Sequence, residues 1–160
     1  MHKLRQSFVF AVAASAPLAF GMVFHGAAHA QEVKIKRSQV PAAVMTQFQT
    51  TYPNATIRGT NKETKGGTAY YVIESRDGDV RRDLLYAADG TVQEIEEIIP
   101  AAQLPNEVAS AIQTGHPGAR IKSVEKNTQG SVVHYEVLLR EKGKKNFEVI
   151  YNPDGTVVTP

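Results

Sequence analysis

Two stretches of this chain carry the same spacing of apolar and polar positions. Val40, Val44, Phe48 and Tyr52 recur every fourth residue, which puts them on one face of a helix with Met45 beside it. Pro41 is tolerated in the first turn, and Pro53 ends the run because the residue before a proline is pushed out of the α region. Leu104-Pro105, Val108 and Ile112 repeat the spacing, and Gly115-His116-Pro117 supplies a second stop. Tyr52-Pro53-Asn54-Ala55-Thr56-Ile57 aligns with His116-Pro117-Gly118-Ala119-Arg120-Ile121 at an offset of 64 residues. The pattern predicts two short helices built alike.

The period then changes from four to two. Ala55 and Ile57 alternate with Thr56 and Arg58, as Ala119 and Ile121 do with Arg120 and Lys122, the mark of strands with one buried face. Gly66-Gly67 and Gln129-Gly130 turn the chain into its strongest strands, Ala69 to Ser75 and Val132 to Arg140. Asp77-Gly78-Asp79 and Lys142-Gly143-Lys144 turn it again, before strands carrying Leu84 and Tyr86 or Phe147, Val149 and Tyr151. Tyr86-Ala87-Ala88-Asp89-Gly90-Thr91-Val92 and Tyr151-Asn152-Pro153-Asp154-Gly155-Thr156-Val157 then close each unit with an Asp-Gly turn. A fourth strand follows each turn, over about 91–97 and 156–159. The offset slips from 64 to 65 between Tyr71 and Gly78, one residue that a bulge would absorb.

The fold class expected is therefore α+β. Two tandem helix-plus-four-stranded antiparallel repeats, 38–98 and 104–160, flank a linker at 99–103. Joined edge to edge they give one continuous sheet with both helices on one face.

The chain's start changes the electrostatic picture. Lys3 and Arg5 precede an apolar stretch from Phe8 to Phe24, and Ala28-His29-Ala30 forms a small-x-small cleavage signal. Residues 1–30 are read as a cleaved signal peptide and 31–37 as a flexible leader, so no stable membrane span is expected after cleavage. Loss of Lys3 and Arg5 takes the 18 Lys+Arg to 16 against 16 Asp+Glu, a neutral chain with no basis for nucleic-acid or anionic-membrane binding. With no Cys, there are no disulfides or thiolate metal sites, and only His116 and His134 remain. The address expected is the periplasm or exterior of a bacterium.

Candidate chemistry is sparse. Asp77-Gly78-Asp79 lacks the ligand spacing of a calcium loop, and the matching turn is Lys142-Gly143-Lys144, so it reads as a solvated hairpin tip. His134 lies in a strand with no Ser-His-Asp or paired-carboxylate arrangement to serve, and His116 reads as a helix-end packing residue. Asn54-Ala55-Thr56 matches a glycosylation sequon but reads as a turn. No catalytic residue, cofactor or metal site is expected.

What remains is the second face of the sheet. If Tyr71, Ile73, Tyr135 and Val137 face the helices, then Tyr70, Val72, His134 and Leu138 face away, beside Arg81, Asp83 and Glu148. Exposed apolar groups rimmed by charge suit a protein- or peptide-binding surface, and equally a sheet face partly covered by the other lobe or by a homodimer contact.

Helices opened by Val/Leu-Pro, stops at Pro followed by Ala-x-Ile, Tyr-x-Val strands and a duplicated Tyr-x-x-Asp-Gly-Thr-Val resemble the PepSY-like domains, the group described as β-lactamase-inhibitor-like. The resemblance spans both halves, about 38–98 and 102–160. It implies a tandem helix-plus-sheet fold, export to the periplasm, and binding or inhibition of peptidase-like or β-lactamase-like partners. It carries over no catalytic residue. The function expected is an exported, non-catalytic binding module that holds or inhibits an envelope protein or peptide on its open sheet face, with edge-strand addition as a second mode. The alternative is an envelope sensor that binds a small molecule or cation between the repeats.

Overall fold

The computed structural model describes residues 31–158; the expected signal peptide at 1–30 lies outside the described residues, as do 159 and 160. Helices α1 (Ala42–Thr51) and α2 (Asn106–Gly115) accompany eight strands: β1 (Gln31–Lys34), β2 (Thr56–Lys65), β3 (Thr68–Asp77), β4 (Val80–Ala87), β5 (Val92–Ile99), β6 (Arg120–Gln129), β7 (Val132–Arg140) and β8 (Phe147–Tyr151). The strands form one antiparallel sheet in the order β1 to β8, each paired with its neighbour in sequence.

The two helices are built alike, as their spacing predicts. Each begins after a proline, Pro41 or Pro105, whose carbonyl accepts the first intrahelical bond from Met45 or Ala109. Each ends at Tyr52 or His116, where near-identical dihedrals (φ −128°, ψ 64° and φ −133°, ψ 62°) lead into the following proline. Val44 and Phe48 of α1 pack with Ile73, Leu84 and Tyr86, while Val108 and Ile112 of α2 pack with Val124, Tyr135, Val137, Leu139 and Tyr151. Desolvation in these cores raises the phenol pKa of both Tyr86 and Tyr151.

The duplicated Asp-Gly turns fix each helix to its sheet. Asp89 Oδ1 and Asp154 Oδ1 each accept the amide of the threonine two residues on, at 2.9 Å. Gly90 (φ +91°) and Gly155 (φ +82°) then press on the first turns of α1 and α2. A Cβ would stand 2.9 Å from the Ala43 carbonyl oxygen in one copy and 2.6 Å from that of Glu107 in the other. Glycine is required there both for its dihedral and for the space.

Three expectations are corrected. Gln31–Lys34, read as part of a flexible leader, is an edge strand paired with Asn61–Thr64. The next residue, Ile35, is pinned by exchange with Thr60: the Ile35 amide donates to the Thr60 carbonyl at 3.0 Å, and Thr60 Oγ1 donates to the Ile35 carbonyl at 2.8 Å. Ile35 also packs on the α1 core, which gives this short charged segment an apolar anchor. The fourth strand of the second repeat reduces to one isolated bridge, Tyr151 to Val157, so the eight strands divide as β1, then four, then three. The slip in offset requires no strand bulge: Ile73 pairs with Leu84 and Val137 with Val149, so the extra residue lies in the longer connection between β7 and β8. Bulges do occur at Arg58 and Lys122, but at matched positions in both copies.

Candidate functional site

Cross-strand partners share a face, so the register assigns each side of the sheet. Ile73, Leu84, Ile95, Thr128 and Val133 form one continuous row, and Ser75, Arg82, Glu97, Lys126, Tyr135 and Tyr151 form another on the same side. These rows include core partners of both α1 and α2.

The opposite side carries all seven candidate residues: Tyr70 and Val72 on β3, Arg81 and Asp83 on β4, His134 and Leu138 on β7, and Glu148 on β8. The register leaves them as two groups. Leu138 and Glu148 are direct partners, and Tyr70 to Asp83 cluster on β3 and β4. Val72 does not serve as an exposed contact, because it is 0% exposed. Its cross-strand neighbours are Asn61, itself buried, and Leu85. Tyr70, His134 and Leu138 are half-buried, and Arg81 and Glu148 are exposed.

Between the two groups lies a band that the sequence reading missed. Glu74, Asp83 and Glu96 stand directly opposite one another across β3, β4 and β5, and Asn127 and His134 continue that row. In the next row Arg76, Arg81 and Ile98 lead to Glu125, which faces Glu136. Like charges directly opposite in a sheet are destabilising, and Arg58, Arg76 and Arg81, which line the same cavity, offset part of this crowding. Glu136 registers it: desolvation, followed by the charges of Glu148, Glu96 and Glu94, pushes its pKa up to about 7. Glu94 is only 7% exposed and accepts a 2.6 Å bond from Asn127 Nδ2, while Glu74 accepts a 2.8 Å bond from Asn61 Nδ2. Ile98, 46% exposed, places an apolar group within the band. A cavity of ≈ 330 Å³ opens there, lined by Arg58, Arg81, Glu74, Asp83, Glu96 and Glu125 among others. Among the described residues no three carboxylates or histidines converge closely enough to hold a metal ion.

On the other side, at the junction of the repeats, Arg82 Nε donates to Glu97 Oε1 at 2.6 Å, and Lys126 Nζ lies 4.0 Å from Glu97 Oε2. The Arg82 guanidinium sits 5.0 Å over the Tyr52 ring. Burial raises the Tyr52 phenol pKa, and Arg82 opposes that shift.

No helix among the described residues is long and apolar enough to cross a membrane. No curated protein matches the chain. Solved structures do. A "putative periplasmic" protein of Bacteroides eggerthii superposes with a TM-score of 0.63 at 14% identity, over 75% of this chain and 86% of its own. A DUF2874 family protein of Bacteroides uniformis gives 0.61 at 15% identity, over 74% and 86%. A BLIP-like protein of Bacteroides fragilis gives 0.58 at 19% identity, over 74% and 84%. At such identities these likenesses establish the fold. A family model described as "Putative beta-lactamase-inhibitor-like, PepSY-like" matches twice, over residues 27–94 and 69–159. Two overlapping matches that together span the described chain place this protein in the PepSY-like, β-lactamase-inhibitor-like family.

Proposed function

We propose that this chain is an exported, non-catalytic binding module of the bacterial envelope that holds a protein partner on its open sheet face. The reading takes both helices to back the same side: the continuous row from Ile73 to Val133 links strands that pack under α1 to strands that pack under α2. The observation that carries it is the acidic band of Glu74, Asp83, Glu96, Glu125 and Glu136 on the other side. Aligned like charges weaken a sheet, and a partner that brings cations offsets that cost. The partner surface is therefore basic, with apolar groups to meet Ile98, Leu138 and Tyr70. Family members described as inhibitor-like, and a structural neighbour described as BLIP-like, fit a role in binding rather than turnover.

Crosslinking in envelope extracts, followed by mass spectrometry, tests this reading. Glu96→Lys with Glu125→Lys abolishes capture of the specific partner while the circular dichroism spectrum stays native, and Leu138→Asp weakens it. Unchanged crosslinks to the same partner in the double variant would defeat the proposal.

A second reading, a small cationic ligand between the repeats, draws on the ≈ 330 Å³ cavity whose lining joins β3 and β4 to Glu125 of β6. A thermal shift with a small diamine that disappears in Glu125→Gln would favour it.

A further inference from the structure

On the side of the sheet opposite the acidic band, a second cleft of ≈ 440 Å³ lies where the repeats meet. Its lining divides by chemistry. Arg82 and Lys126 supply cations, Glu97 lies between them, and Val80, Ile99 and Tyr135 supply apolar wall. We propose that this cleft binds a monocarboxylate with an apolar body, the carboxylate being held by Arg82 and Lys126. Arg82 and Ile98 line both this cleft and the ≈ 330 Å³ cavity, but the proposal does not rest on the open-face reading.

Three observations carry the assignment. Two cations share one carboxylate here: Glu97 Oε1 takes Arg82 Nε at 2.6 Å, and its Oε2 is 4.0 Å from Lys126 Nζ, too long for a hydrogen bond. Asp79 also lines the cleft but is paired with Arg76 at 3.5 Å, so the group of Arg82, Lys126 and Glu97 keeps one positive charge in excess, and the two carboxylates disfavour a dianion. Next, the Arg82 guanidinium uses its Nε edge on Glu97, while its enclosed Nη1 has no hydrogen-bond partner. A buried donor without an acceptor carries a desolvation penalty that an entering carboxylate relieves, through a small swing of the side chain off the Tyr52 ring. Finally, the cationic pair belongs to the seam. Arg82 and Glu97 come from the first repeat and Lys126 from the second, and the position equivalent to Arg82 in the second repeat is Phe147. Duplication of the fold does not account for the pair.

The apolar walls set the ligand class. Val80, Ile99 and the Tyr135 ring flank the charged pair, so an inorganic anion leaves them uncovered, whereas an aryl or alkyl carboxylate covers them. The acid can be a free small molecule or the terminal carboxylate of a peptide with an apolar last residue. Both present the same chemistry to Arg82 and Lys126.

Amide-resolved NMR titration of the full chain tests this, with benzoate as probe, benzamide as its neutral isostere, and a short peptide ending in Phe as free acid or amide. Benzoate or the free-acid peptide gives saturable shifts at Arg82, Lys126 and the Gln103 side chain. Response to benzoate alone assigns the site to small acids, and response to the peptide acid alone assigns it to chain ends. Lys126→Gln, at a half-exposed position that leaves the fold intact, weakens binding by about tenfold. Equal shifts with benzoate and benzamide, no saturable shift with either acid, or unchanged affinity in Lys126→Gln would overturn the proposal. Glu96→Lys with Glu125→Lys on the open face leaves these shifts in place.

Discussion

The two repeats close the ends of their helices with the same two positions and opposite chemistry. In the first, an aromatic at the helix end, Tyr52, lies under a cation from the strand, Arg82. In the second, the helix end carries an imidazole, His116, and the strand carries the aromatic, Phe147, with ring centroids 5.2 Å apart. The backbone dihedrals at Tyr52 and His116 agree within a few degrees, so the exchange is purely one of side chains. Its consequences differ. A cation on the strand side reaches Glu97 on the next strand and ties the first repeat to the seam. The imidazole on the helix side instead shares a 3.3 Å hydrogen bond with Glu141 in the β7–β8 connection, and Lys144 joins it there, so the second repeat closes on itself. One duplicated scaffold has therefore given one half an outward electrostatic connection and the other an inward one.

Substitutions at matched positions can break or sharpen this comparison. The largest effect is expected at the turn glycines. Gly90→Ala forces a Cβ against the Ala43 carbonyl in a left-handed conformation, between a helix and a strand that continues through Ile99. It should cost about 3 kcal/mol in urea denaturation. Gly155→Ala meets a shorter gap, but its loop is held to the sheet by one bridge and can yield, so about 1–2 kcal/mol is expected. Equal losses would mean that the second turn is as firmly fixed as the first.

The helix-end pair comes next. Tyr52→Ala removes contact with Phe48 (5.8 Å between centroids) as well as the cation–π contact, and should cost about 2 kcal/mol. His116→Ala loses the ring contact with Phe147, and should cost about 1 kcal/mol. A larger loss at His116 would reverse the ranking.

The smallest expected effect is a pH dependence confined to the second repeat. The Glu136 pKa is raised from 4.5 to about 7 in the folded chain, so ionising it costs more folded than unfolded. Its stabilising contribution is complete below pH 4.5 and is lost as pH rises through about 7. Glu136→Gln should therefore raise the melting temperature at pH 8, by the equivalent of about 1 kcal/mol, and flatten the profile between pH 4.5 and about 7. The equivalent position in the first repeat is Val72, which cannot titrate, so a comparable slope surviving in Glu136→Gln would place its source elsewhere.

Local signals made most of the architecture readable before any coordinates. Four-residue spacing, paired prolines and the two Asp-Gly turns act within a few residues, and they reported the helices and turns correctly, while the strand expected after the second Asp-Gly turn is a single bridge. The side of the sheet was also readable on β3 and β7, where Tyr70 and His134 alternate with Tyr71 and Tyr135. Burial was not, since Val72 owes its enclosure to strands beside it rather than to its own alternation. The acidic band escaped because Val92-Gln93-Glu94-Ile95-Glu96-Glu97 does not alternate cleanly, and a register shift next to Tyr86 moves its phase. β1 escaped for another reason: four charged or polar-flanked residues carry too little pattern, and only Ile35 and Thr60 together explain why they pair. The pair of Arg82 and Lys126 depends on the β5–β6 ladder, which links positions far apart in the chain.

The sheet is a meander in which each strand's neighbour in space is also its neighbour in sequence. Assembly can thus follow the order of synthesis, each new strand finding its partner already laid down, with little entropy spent on closing long loops. Only at the two helices must the chain travel before pairing again, and those detours are where the paired prolines stand. A mutation that slows either detour would expose a bare strand edge to other copies, so the helix stops guard the growing protein against aggregation as much as they shape the finished one.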